Sequence, residues 1–136
     1  MMTFYDVLPY IIVFVVYVIG EVIWLTLMSR NYSRWFAAYN PSLKIQSFLA
    51  FFVTYIVLLG SFAYLVLSRS TSNIDALLLG GAFGLVVYST YNCVNKATLP
   101  KYEWTMVVVD TLWGTLWFGL LSILFYQSRF VLKSRD

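Results

Sequence analysis

Four long apolar runs, parted by short polar stretches, set the pattern of this chain. They cover residues 7–28, 45–67, 76–97 and 104–126, each long enough to cross a hydrocarbon core of roughly 30 Å as a helix. The predicted fold is therefore all-α, a four-helix transmembrane bundle, in one integral domain over residues 1–136. Pro9 falls in the first turn of the first run, where a missing N–H is tolerated. That run does not read as a cleaved signal peptide: no Lys or Arg precedes it and no small-residue cleavage site follows. Between the first two runs, Asn31 to Asn40 spaces Tyr32, Trp35, Phe36 and Tyr39 along one helical face, before Pro41. This predicts a short interfacial helix after the first span, lying among lipid headgroups.

The polar positions inside the runs give each helix a direction. The second carries Ser47, Thr54, Ser61 and Ser68 at seven-residue intervals, a stripe suited to close helix contact and cross-helix hydrogen bonds. The third gathers Gly80, Gly81, Gly84, Tyr88, Tyr91, Asn92 and Asn95 within a third of its circumference. Leu79, Phe83, Val86, Thr90 and Cys93 fall opposite. Gly80-x-x-x-Gly84 on the polar face predicts a closely approaching neighbour. The fourth has two contact faces, one with Asp110, Trp113, Gly114 and Trp117, the other with Thr111, Thr115, Gly119 and Ser122.

Composition excludes several functions. Of the residues, 61% are hydrophobic and 11% charged, against roughly 25% charged in soluble domains. Without His and with a single Cys, Cys93, His-ligated metal centres, Cys–His catalysis and intramolecular disulfides are ruled out. No metal site, cofactor or enzymatic activity is expected: there is no GxSxG elbow and no phosphate loop. The net charge of +3 is spread over loops and tail, so nucleic acid is not an expected partner.

Ionisable groups at membrane depth are expensive and point to function by default. Glu21 lies past the middle of the first span, Asn92 and Asn95 in the later half of the third, and Asp110 near the start of the fourth. With alternating helix directions, Glu21, Asn92 and Asp110 come within roughly 5 Å of one depth at 1.5 Å per residue. The predicted site is thus an intramembrane polar cluster of Glu21, Asn92, Asn95 and Asp110. Trp24, Tyr88, Trp113 and Trp117 support it, and Gly80, Gly84, Gly114 and Gly119 provide helix packing. Two readings stand: interhelical glue, or a site where two carboxyls share a proton or hold a cation.

These motifs resemble a family of small predicted membrane proteins of unknown function, known in bacteria and large DNA viruses. Glu21, Trp24 and Leu25 match an acidic residue followed by Trp-Leu late in the first helix, and Tyr32 to Trp35 match an aromatic, basic segment. Leu85 to Leu99, preceded by Gly84, match a Gly-x-x-Tyr-x-Thr-Tyr-Asp-x-x-Asn-x-Ala-Thr-Leu run. Val109, Asp110, Trp113, Gly114 and Thr115 match a Val-Asp-x-x-Trp-Gly-Thr run. Two positions depart from the pattern: Glu21 and Asn92 stand where the family has Asp. The resemblance implies a multi-pass membrane protein and adds the internal membrane of a virion as a setting.

The leading expectation is a structural or interaction component of a membrane, a minor virion protein included. Its partners would be the lipid bilayer and either further copies of itself or other membrane or capsid proteins. The alternative is a small proton, cation or solute carrier using the Glu/Asp/Asn cluster. Both termini share one side. Arg30 and Arg34, directly after the first span, lean the termini towards the outside.

Overall fold

A computed structural model of the chain describes residues 4–37, 40, 42 and 44–133. Its helices are α1 (Phe4–Phe36), α2 (Phe48–Phe62), α3 (Asn73–Thr98) and α4 (Trp104–Lys133), with one π-helical turn, Ala63–Leu67, continuing α2. Among the described residues, four helices are long and apolar enough to cross a membrane, α2 and its π turn together counting as one.

α1 is longer than the sequence pattern predicts. Its 33 residues extend about 50 Å at 1.5 Å per residue, well past the hydrocarbon core. No Gly or Pro lies between Glu21 and Phe36, so nothing stops the helix after Met28. The separate interfacial helix is thus replaced by a continuation of α1 as far as Phe36; Tyr39 and Pro41 lie outside the described residues. The aromatic face is real but points to protein. Trp35 is buried, its ring 5.3 Å from that of Tyr102, and Phe36 packs there too. Pro9 also moves: with the helix already formed at Phe4, it sits buried in the second turn.

α3 and α4 form the tightest pair, running antiparallel, and small residues make this possible. A Cβ on Gly84 would collide with the carbonyl of Gly114, and one on Gly80 with Ser122 and the Phe118 carbonyl. Gly114 leaves room for the Tyr88 ring, and Gly119 lies against Leu77. The four packing glycines are where the pattern puts them. α1 lies antiparallel to α4 on its other side, with Tyr10 against Phe125 and Tyr17 against Phe118.

α2 is held differently. Its terminal Phe62 and the π turn's Val66 and Leu67 are buried in the main core with Val13, Phe118 and Leu121. Phe62 also packs on Phe83, 5.4 Å between rings, so Phe83 and the half-buried Leu79 are covered by protein rather than lipid. Phe48–Thr54, by contrast, is exposed throughout. Three of the four hydroxyls in the stripe bond within their own helix rather than across a seam. Ser47 caps α2 by accepting from the Ala50 N–H (3.2 Å), Thr54 donates to its own helix at Ala50 O (2.9 Å), and Ser68 donates to Tyr64 O (2.7 Å). Short hydroxyls return to the backbone when no partner faces them.

The contrast between glycines is measurable. Gly84→Ala is expected to destabilise by about 1–3 kcal/mol through overpacking. Gly60, with open space around it, should gain about 0.5–1 kcal/mol as Ala, from helix propensity. Thermal unfolding in one detergent checks both; equal midpoints for the two variants would contradict the α3–α4 contact.

Candidate functional site

At the level where α1, α3 and α4 meet, the two carboxyls are bound in a crossed arrangement. Glu21 and Trp24 are one turn apart on α1, as Asp110 and Trp113 are on α4. Trp24 Nε1 donates to Asp110 Oδ1 at 2.7 Å, and Trp113 Nε1 donates to Glu21 Oε1 at 3.3 Å. Each helix therefore supplies the indole for the other's carboxyl. The two indoles stack with centroids 4.7 Å apart and planes 2° from parallel, and Trp117 continues the stack at 5.2 Å. Gly20 makes room for Trp117, whose ring a Cβ there would penetrate.

Asp110 is buried and fully engaged. Besides Trp24, Tyr32 donates to Oδ1 at 3.3 Å and Asn92 Nδ2 to Oδ2 at 2.7 Å. Three donors suit an ionised carboxylate, which only accepts. Asn92 is equally constrained. The same Nδ2 donates to the Tyr88 carbonyl at 2.8 Å, and Oδ1 accepts from the Tyr102 hydroxyl at 2.5 Å. Tyr102 sits in the α3–α4 connection, held by Lys96 Nζ donating to its carbonyl at 2.7 Å. Burial pushes its phenol up from the ordinary tyrosine value, which keeps it a donor.

Glu21 is bound on one side only. Tyr88 donates to Oε1 at 2.7 Å, as does Trp113, and no described residue donates to Oε2. Glu21 borders a cavity of about 680 Å³ between α1, α2 and α3, with Asp110 also in its wall. The aromatic Tyr17, Trp24, Tyr32, Tyr55, Tyr88 and Tyr91 are among its other lining residues, and the hydroxyls of Ser29 and Thr54 also border it. From Tyr17 to Ser29, both lining residues, α1 rises about 18 Å. Among the described residues, no Lys or Arg borders the cavity.

Of the predicted cluster, the structure joins Asn92 directly to Asp110, and Glu21 to both through Tyr88 and the indole stack. Asn95 does not join: one turn further along α3, it faces Tyr91 and Tyr102 instead. Trp24, Tyr88, Trp113 and Trp117 lie in the arrangement through the hydrogen bonds and stacking given above. Sequence reasoning missed Tyr17, Tyr32, Tyr55 and Tyr102. The first two could have been found by extending the Glu21 face of α1 in steps of three or four.

With this geometry in view, likeness to known proteins adds one fact. A family model described as a predicted membrane protein (DUF2177) matches residues 6–127. The chain belongs to this family. The match runs from the start of α1 almost to the end of α4, so the crossed carboxyls, the cavity and all four spans lie within the DUF2177 region. Together with the four helices, it makes the protein an integral, multi-pass membrane protein. No curated protein and no solved structure matches the chain.

Removing the fully engaged carboxyl tests its structural part. Asp110→Asn replaces one acceptor oxygen by an NH2 that faces donors, and is expected to cost about 1–3 kcal/mol. Asp110→Leu, which leaves Trp24, Tyr32 and Asn92 without their acceptor, should cost at least as much. Thermal unfolding in detergent reads both, and a wild-type midpoint for Asp110→Leu would disprove the role.

Proposed function

We propose that this DUF2177 protein is a small membrane carrier for a cation, with the aromatic cavity as its binding site and Glu21 as the exchanging group. The observation that carries this reading is the sign of the cavity: two carboxyls and no basic side chain line it. Charged groups at membrane depth persist where they pair or face a cavity, and Glu21 does the latter through Oε2. Asp110, bonded at both oxygens by three donors, is a fixed part of the frame. The two carboxyls thus divide between them the roles of glue and site.

The second reading is a purely structural membrane component, assembled with further copies or with other membrane proteins. The three hydrogen bonds to Asp110 favour it, because a cluster built to lock helices pairs its polar groups with one another. Glu21 is the group that separates the two readings.

Currents from proteoliposomes on a solid-supported membrane, evoked by steps of K⁺, H⁺ or choline, decide between them. Glu21→Gln is expected to lose current on the order of tenfold or more, the equivalent of about 1.4 kcal/mol of lost interaction, while melting close to wild type. Wild-type protein that passes no current for any of these cations would leave the structural component standing.

A further inference from the structure

We propose that the cavity's ligand is an organic amine with an apolar body rather than a bare metal ion or a proton. This rests on the carrier reading above and names its substrate class.

The argument begins with what a bare ion would require. Ca²⁺ takes about six to eight oxygen ligands and Mg²⁺ about six in strict geometry; an alkali ion needs a comparable ring of oxygens to replace its water. The cavity's charged oxygens are too few for that, its other side-chain oxygens being the neutral hydroxyls of Ser29, Thr54 and the lining tyrosines. Both Asp110 oxygens are occupied, and Glu21 Oε1 already accepts two hydrogen bonds. Glu21 Oε2 is the carboxyl oxygen left over. Among the described residues, no group of three or more His, Cys, Asp or Glu side chains could hold a metal ion.

One open carboxyl oxygen in an aromatic chamber instead fits a single diffuse positive charge. Tyr17, Trp24, Tyr32, Tyr55, Tyr88 and Tyr91 bring rings from three helices to one space. Aromatic faces attract ammonium groups through their quadrupole, most strongly where water is excluded. Tyr17 and Tyr55, with ring centroids 6.3 Å apart, meet across α1 and α2. Leu25, Phe51, Leu58 and Val87 add an apolar surface beside the rings. A proton alone would need neither the volume nor this wall. An ammonium head at Glu21, with its hydrocarbon body along Leu58 and Val87, uses both.

The test is binding of benzyltrimethylammonium to the full-length protein in lipid nanodiscs, followed by quenching of tryptophan fluorescence, since Trp24 borders the cavity. Neopentylbenzene, its uncharged isostere, is the control, and K⁺ and Na⁺ are competitors. The expected result is saturable binding of the ammonium, about tenfold tighter than the isostere, weakened by a similar factor in Glu21→Gln and indifferent to K⁺ and Na⁺. The isostere comparison is made on wild-type protein, so it stands even if a variant fails to fold. Equal affinity for the isostere would overturn the inference by making the cavity merely greasy. Displacement by K⁺ or Na⁺ would overturn it in favour of a bare cation, and the carrier reading would survive. Absence of ammonium binding also overturns it, and Glu21-dependent currents would then belong to another cation. Specific binding without any current upholds the amine site and removes carriage.

Discussion

Two tryptophans, each donating to the acid of the opposite helix, hold this protein in register. Trp24 reaches Asp110 and Trp113 reaches Glu21 because α1 and α4 are antiparallel and both place an indole one turn after an acid. Sliding one helix by a turn would separate both pairs at once and unstack the rings. In hydrocarbon no water takes over such hydrogen bonds, so misregister leaves both carboxyls without their indole donors. The remaining helices answer to that fixed pair. α3 must come close enough for Asn92 to reach Asp110, and the absence of side chains at Gly80, Gly84 and Gly114 makes that approach possible.

The same constraint explains why Asn rather than Asp stands at position 92. Its Nδ2 donates to both the Tyr88 carbonyl and Asp110. An ionised carboxylate has no proton to give either one, and it would set two negative charges within hydrogen-bonding distance. The amide keeps the same shape while supplying the donor. With an amide at position 92 the cavity still has two carboxyls in its wall, Glu21 and Asp110. The longer Glu side chain at position 21 is bound through one oxygen and leaves the other to the cavity.

Helices, their number and their inward faces were legible because burial in lipid leaves a periodic pattern of polar and small residues. The layer shared by Glu21, Asn92 and Asp110 followed from counting along alternating helices. What the sequence concealed depends on partners distant in the chain. Tyr32 and Trp35 have the spacing of an interfacial helix, but Tyr102, about 70 residues on, gives their face something to pack against. Asn95 lies on the same face as Asn92, yet one turn of helix carries it beyond Asp110's reach. The serine stripe misled for a simpler reason: a hydroxyl has a partner in its own helix at every turn, so its presence predicts no neighbour. The twofold acid-x-x-Trp spacing was in plain view. Only the antiparallel pairing of α1 with α4 gives it meaning.

The cavity follows from how α2 is attached. α1, α3 and α4 are fixed to one another by polar contacts and close glycine packing, while α2 joins the core through Phe62, Val66 and Leu67 at one end. The wider π turn there lets those three residues turn inward together, a local irregularity often found at functional sites. Tyr55, Leu58 and Leu59 are only partly buried against the core and residues 48–54 stand off, so the space under Phe51, Thr54, Tyr55 and Leu58 is the aromatic chamber. A bundle evolved only to be tight would have brought α2 down onto Glu21 and filled that space with side chains, as it filled the α3–α4 contact. The carboxyl that the indole frame binds through a single oxygen thus lies beside α2, whose first half is exposed.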